Sequence, residues 1–415
     1  MPAPRSVHDP APEYQEDAPE RGSTVHSHDL QDSQVGLNVI LSSHAASSNS
    51  IPVFFNENLI AGTLELTLRK KRRISSITIK LHGYQKLDMM QWLDQEEKAH
   101  DSIFLEIKHE VWKPSDGESH LSLGTHSWPF EFKLPRETNK IGKNNRPYEL
   151  PPSFSSQLFA DHLVYEIVAT VRRDGFFNED EHLIVPVRYV PRTVAAAPSR
   201  SLAMSYANGT PLVGPDVDVD GWNSQKFEIR GSFNKGGAES VVYGELSVPR
   251  PAEFARGYPI PFIISLRGNE KSAIAKFSEA SALGVYLKRQ YVRAKRADNK
   301  EDKSKPVTKG SYWVVGEGGD SCTLQGEFPP MLQLGPSFTF RSLSLLYTVT
   351  IEPEAFNFET KTKGPLTAVP VTITYSPPPG VRARSFAPLA GVSANGGASR
   401  TNAPPMAMPS LISVA

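Results

Sequence analysis

The chain has 415 residues, and its 45 lysines and arginines are balanced by 45 aspartates and glutamates, so the formal net charge is zero. That length predicts two or three domains, and the balanced charge excludes a global electrostatic pull toward nucleic acid or anionic membrane. Hydrophobic residues at 39% and charged residues at 22% form an ordinary globular balance. The 35 prolines, about 8% against a usual 5%, argue against a helical architecture, since helix interiors tolerate proline poorly.

Cys322 is the single cysteine, so an intrachain disulfide and a cysteine-built zinc site are excluded. It is expected to be a packed thiol in a reducing compartment. The first 30 residues lack the apolar core of a signal peptide. No apolar run approaches the roughly 18 residues of a membrane span. The expected setting is the cytoplasm.

Residues 1–34, rich in proline, acid and serine, are expected to be a disordered tail. From residue 35 the pattern has period two. Leu64, Leu66 and Leu68 alternate with polar neighbours, as do Ile77, Ile79 and Leu81. One helix is expected over 88–100 (DMMQWLDQEEKAH), as an insertion between strands. Alternation returns at Trp128, Phe130, Phe132 and Leu134, and again at Tyr165, Ile167, Ala169 and Val171. These are half-buried antiparallel strands of a sheet-on-sheet domain over 35–191. A polar stretch, 192–223, reads as a linker. A second such domain is expected over 224–376, with alternation at Ile260, Phe262, Ile264 and Leu266 and at Tyr347, Val349 and Ile351. Residues 377–415 read as a second disordered tail. The fold class is all-β, two tandem immunoglobulin-like β-sandwiches.

The two blocks share landmarks in the same order. Pro-Ser-Phe stands at 152–154 and 336–338, a tyrosine at 165 and 347, and Val-Pro-Val at 185–187 and 369–371. Gly62 is paired with Gly244, and Gly83 with Gly268. All five offsets lie between 182 and 185, which points to a tandem duplication.

FFNENLIAGTLELTL followed by ISSITIKLHGY, then LGTHSWPFEFKLP, LPPSF and LVYEIVATVRRDG, resembles the strand order of the arrestin amino-terminal domain. FEIRGSFNKGG through GELSVP, RGYPIPFIISLRG, LYTVTIEPE and VPVTITY is similar, more loosely, to the carboxy-terminal arrestin domain. The resemblance covers about 36–376 and is nearest to the α-arrestins, especially the fungal ones. It implies a non-catalytic adaptor that binds membrane transporters or receptors and recruits a HECT-type ubiquitin ligase, with peripheral association to plasma membrane or endosomes. It also admits two alternatives, a pH-sensing arrestin scaffold for a protease complex and a retromer-type coat subunit.

The family's usual ligase contact is a PPxY-like motif gripped by WW domains. None is present; the nearest candidate is Ala11-Pro12-Glu13-Tyr14, giving Pro12 and Tyr14 as contacts, while the run Pro377 to Pro379 lacks a tyrosine. Visual and β-arrestins carry an arginine in a buried charge network near the end of the first domain. Here Val185 and Pro186 fall near that place, and only Arg188 is basic. A phosphate-tripped switch of that kind is not expected to operate unchanged.

No Walker loop, G-x-S-x-G, H-E-x-x-H or strand-borne G-x-G-x-x-G is present. The DVDVDG run at 216–221 opens like a calcium loop, but Phe227 stands at its twelfth position, so it reads as acidic linker. His8, His26 and His28 are expected to be solvated tail residues. No catalytic, cofactor or metal site is expected. Arg69, Lys70, Lys71, Arg72 and Arg73 are expected to crown a hairpin turn as a contact for acidic lipid headgroups or phosphorylated cargo. The run 288–305 reads as a long loop whose Lys295, Lys300, Lys303 and Lys305 are candidate ubiquitin acceptors.

Overall fold

The computed structural model describes residues 23–31, 35–56, 58–86, 103–114, 121–139, 147–155, 162–173, 180–234, 237–296, 299–341 and 343–388. It forms two units that divide between Val190 and Pro191. The expected helix at 88–100, His8, Pro12 and Tyr14 lie outside the described residues.

The first unit is built from β1 (Thr24–Gln31), β2 (Val35–Ser43), β3 (Val53–Phe55), β4 (Leu59–Leu68), β5 (Ile74–Lys86), β6 (Ile103–Trp112), β7 (Gly124–Lys133), β8 (Phe154–Ser155), β9 (His162–Arg173) and β10 (Glu181–Val190). One sheet has the order β1-β2-β4-β7 and the other β3-β10-β9-β5-β6, with β8 beside β9. Leu64, Leu66, Ile77, Ile79, Leu81, Ile167 and Ala169 are fully buried, as the period-two alternation requires when each sheet has one apolar face.

The second unit contains α1 (Arg200–Asn208), β11 (Trp222–Phe233), β12 (Glu239–Pro249), β13 (Glu253–Ala255), β14 (Ile260–Arg267), α2 (Lys271–Ser278), β15 (Leu283–Arg296), β16 (Asn299–Lys309), β17 (Ser311–Glu317), β18 (Ser321–Phe328), β19 (Phe338–Phe340), β20 (Leu343–Pro353), β21 (Phe358–Thr360) and β22 (Thr367–Thr374). Its sheets run β17-β18-β14-β12-β11-β21 and β13-β22-β20-β15-β16, with β19 beside β20. Removing β17 and β21 leaves the topology of the first unit, strand for strand. Both units are β-sandwiches of one design.

Three landmarks sit on equivalent elements and have the same function in both. Ser153 donates its N–H to Tyr189 O (2.8 Å) and accepts the Tyr189 N–H on its Oγ (2.8 Å). Ser337 does the same with Ile373, at 2.8 and 2.9 Å. Just beyond, the Tyr165 hydroxyl donates to Pro151 O, and Tyr347 donates to Gly335 O at 2.8 Å. Each tyrosine is buried to about 1% exposure, so its polar tip needs that partner. In Val-Pro-Val the proline is tolerated for a reason the ladder makes plain. The N–H groups of Arg188 and Thr372 donate to Pro52 O and Ala252 O, and β3 and β13 begin pairing only at those residues. Pro186 and Pro370, two residues earlier, face the same side before the parallel strand starts, so neither removes a ladder bond.

The two glycine landmarks do not hold. Gly62 lies on β4 and Gly244 on β12, whose counterparts are β14 and β2. Their likeness is one of packing: a Cβ on Gly62 would stand 2.7 Å from the cross-strand Phe130 ring, and one on Gly244 2.1 Å from that of Phe227. Each glycine admits an aromatic ring directly over the strand. Gly83 lies within β5, whereas Gly268 follows β14.

Five other expectations are corrected. Part of the first tail is ordered, as β1 pairs along its length with β2. His26 is fully buried: its Nδ1 donates to Ser48 O (3.0 Å), and its Nε2 accepts from Ser43 Oγ (2.8 Å). His28 stacks beside it with ring centroids 6.3 Å apart, and burial, then the neighbouring His26, lower its pKa. The 192–223 stretch is not a free linker but holds α1 and the first residues of β11. Residues 377–388 pack on the second unit, with Phe386 6% exposed. The run 288–305 lies in the antiparallel β15–β16 hairpin rather than a loop.

Ser153→Ala and Ser337→Ala each leave one strand N–H of a buried residue without its acceptor. Each is expected to cost about 1–3 kcal/mol in urea denaturation, with similar losses in the two units. A negligible loss from both would contradict the role assigned to these serines.

Candidate interaction surfaces

The basic run does not crown a hairpin. Leu68 ends β4 in one sheet and Ile74 starts β5 in the other, so 69–73 crosses between the sheets of the sandwich. Arg69, Lys70, Lys71 and Arg73 are exposed and Arg72 is half-buried. The flanking Leu68 and Ile74 anchor the segment at 2% exposure each.

On the solvent face of β5 and β9, His82, Tyr84 and Glu166 cluster. Glu166 accepts from Tyr84 (3.3 Å) and lies 3.4 Å from His82 Nδ1. Burial, then the Glu166 charge, raise the Tyr84 hydroxyl pKa. On β10, Val185 is buried while Pro186 and Arg188 face outward. Arg188 thus occupies an exposed strand face rather than a buried charge network.

Sheet edges differ in how they resist pairing. β7 carries Pro129 and β16 carries Pro306 among its lysines, two devices that blunt an edge. β17 presents Val314 at 40% and Val315 at 52% exposure, with a register shift between Val314 and Gly316.

The second unit has a third layer. α1 starts at Ser199, whose Oγ accepts the Leu202 N–H (3.3 Å) and donates to Asp218 Oδ2 (2.9 Å). It ends at Gly209 in the left-handed conformation that glycine tolerates best (φ 66°). The DVDVDG run therefore folds as a turn in which Asp218 holds the helix start. Leu202 and Tyr206, one turn apart, pack with Phe386 into an apolar cluster flanked by Trp313 and Ala383. This layer covers the outer face of β14 and β18, where Ile263 is 3% exposed and Gln325 and Glu327 are 5% exposed. Burial, then the Glu327 charge, hold the Tyr206 hydroxyl well above the usual tyrosine range. Beside it lies an apolar groove lined by Pro249, Pro251, Tyr258, Pro377 and Val381. Cys322, 4% exposed on β18, has its thiol pKa raised chiefly by burial.

Of the four candidate lysines, all lie on the β15–β16 hairpin; Lys305 is exposed and Lys303 half-buried. The base of that hairpin is tied to β20 and the residue after it. Lys288 binds Glu352 at 2.6 Å, and Lys309 binds Glu354 at 2.5 Å while Tyr286 donates to the same carboxylate. The Glu354 hydrogen bond, then partial burial, push the Tyr286 hydroxyl up to about 12. Burial works against the Glu354 carboxylate, but hydrogen bonds from Lys309 and Tyr286 outweigh it and keep its pKa below the usual value.

Residues 45–187 match the family model described as arrestin (or S-antigen), N-terminal domain. The first unit is arrestin-like. A search of curated proteins gave no match to the chain. The matched span runs from just after β2 into β10, and the second unit repeats the same topology. Among the described residues, no helix is long and apolar enough to cross a membrane. Sequence reasoning missed the α1 layer, although Ser199 before RSLAMSYAN and Gly209 after it are ordinary helix start and stop signals.

The raised Tyr286 pKa makes a signed prediction. A hydroxyl whose folded pKa exceeds its unfolded value stabilises below about pH 10, and the contribution fades as pH rises toward about 12. Wild type is expected to be more stable than Tyr286→Phe in urea at pH 8, with the gap closing between pH 10 and 12. A gap that widens with alkali would contradict the Glu354 contact.

Proposed function

We propose that the chain is a non-catalytic adaptor of the arrestin type, most like the α-arrestins, which binds membrane transporters or receptors and links them to ubiquitin ligase-dependent endocytosis. The observation that carries this reading is the match of 45–187 to the arrestin amino-terminal domain on a unit whose topology recurs in the second. The exposed 69–73 crossing supplies five cations at the sheet junction, chemistry suited to acidic lipid headgroups or an acidic cargo tail. Cargo segments bind along exposed sheet faces or add to an open edge as an extra strand. Pro12 and Tyr14 are the proposed WW-domain contact, and Lys295, Lys300, Lys303 and Lys305 the proposed ubiquitin acceptors. The adaptor works in the cytoplasm with peripheral attachment to plasma membrane or endosomes.

Affinity capture with the tagged full chain tests this reading. Recovery of a WW-domain ligase, lost on Pro12→Ala with Tyr14→Ala, supports it; recovery of protease-pathway or retromer proteins instead assigns the scaffold or coat role. Replacing Arg69, Lys70, Lys71, Arg72 and Arg73 by glutamine is expected to weaken binding to phosphatidylserine vesicles roughly tenfold or more. Unchanged binding would remove the basic run from the interface.

A further inference from the structure

The strap formed by 377–388 is held to the second unit by an unusual acceptor. Glu327 stands on the outer face of β18, a position that would ordinarily be wet, yet it is 5% exposed because α1 and the strap cover it. A buried carboxylate needs donors, and the strap brings two. Ser385 Oγ donates to Oε1, and the Phe386 N–H donates to Oε2 at 2.9 Å. The Phe386 ring then lies against Tyr206, with centroids 6.1 Å apart. Arg384 extends over Gly209 at the C-terminal end of α1, where a Cβ would come within 2.5 Å of its guanidinium and where a cation is favoured by the helix dipole.

Ser385 is itself exposed, and so are Arg382 and Arg384, three residues and one residue before it. A hydroxyl on an extended segment preceded by two arginines is a pattern that an acidic kinase groove recognises by charge. The same hydroxyl donates to the carboxylate that anchors the strap.

We propose that Ser385 is a phosphorylation site for an arginine-directed serine kinase, and that its phosphate releases the strap from the second unit. In the transfer, Ser385 Oγ attacks the γ-phosphorus of a nucleoside triphosphate, and the hydroxyl proton passes to the kinase's base. The Oγ–P bond forms as the bond to the leaving nucleoside diphosphate breaks. The product cannot donate from Oγ, and it places a charge of about −1.5 to −2 beside the buried Glu327 carboxylate. Two anions in a low-dielectric contact repel strongly. The strap lifts, and Leu202 and Tyr206 lose their cover. This inference does not depend on the adaptor reading, since it rests only on contacts within the second unit.

The test uses the full chain treated with an arginine-directed serine kinase and ATP, with mass spectrometry and amide exchange of 382–388. The expected result is a phosphate on Ser385, absent in Ser385→Ala, and at least about tenfold faster exchange of the Phe386 and Ala387 amides. Glu327→Gln is expected to shrink that acceleration, because the repelling charge is gone. If Glu327→Gln does not fold, the phosphorylated wild type still decides. No phosphate on Ser385, or a phosphorylated strap whose Phe386 amide exchanges as slowly as before, overturns the proposal.

Discussion

Each sandwich depends on one small clasp. A serine in the loop before a core strand exchanges two hydrogen bonds with a residue of the final strand, Ser153 with Tyr189 and Ser337 with Ile373. The neighbouring buried tyrosine ties its hydroxyl to the same loop. Without these bonds, a loop carbonyl, a strand N–H and a phenol would all be left unpaired in an apolar interior, at a cost that one well-packed side chain cannot offset. With them, the last strand is fixed between an antiparallel neighbour and a short parallel one.

The same closure is elaborated differently in the two units. The second adds strands at both ends of one sheet and a layer of helix and strap over its outer face. That layer converts an outward strand position into a buried one, and Glu327 is the result. An anchor made of a carboxylate and two hydrogen bonds is easier to undo than one made of apolar area alone, because a single added charge changes its sign. In the first unit, by contrast, most of the 69–73 crossing sits on solvent-facing surface.

Strands with one buried face were legible because alternation records burial directly. β4, β5, β7, β9 and β20 all follow from it. β1 was not, since TVHSHDLQ presents no apolar stripe and its buried inward side chain is a histidine satisfied by Ser43 and Ser48. β16 was missed for a related reason: as an edge strand of lysines and acids it has no apolar periodicity to read. The role of 69–73 depended on which sheet each flanking strand joins, and that is a tertiary fact. The strap hid because one phenylalanine and one serine carry its docking. The duplication was legible through Ser153 and Tyr165, whose hydrogen bonds recur, and through Pro186, whose place just before the parallel pairing recurs. It was blurred by glycines that recur only because rings need room.

One closure is built twice and organises two independent cores. Strand-resolved amide exchange of the full chain tests this directly. The slowest amides should fall into two separate groups, β5 with β9 and β15 with β20, each flanked by protected Tyr189 or Ile373. A single slow group confined to one half, with the other half exchanging freely, would contradict it.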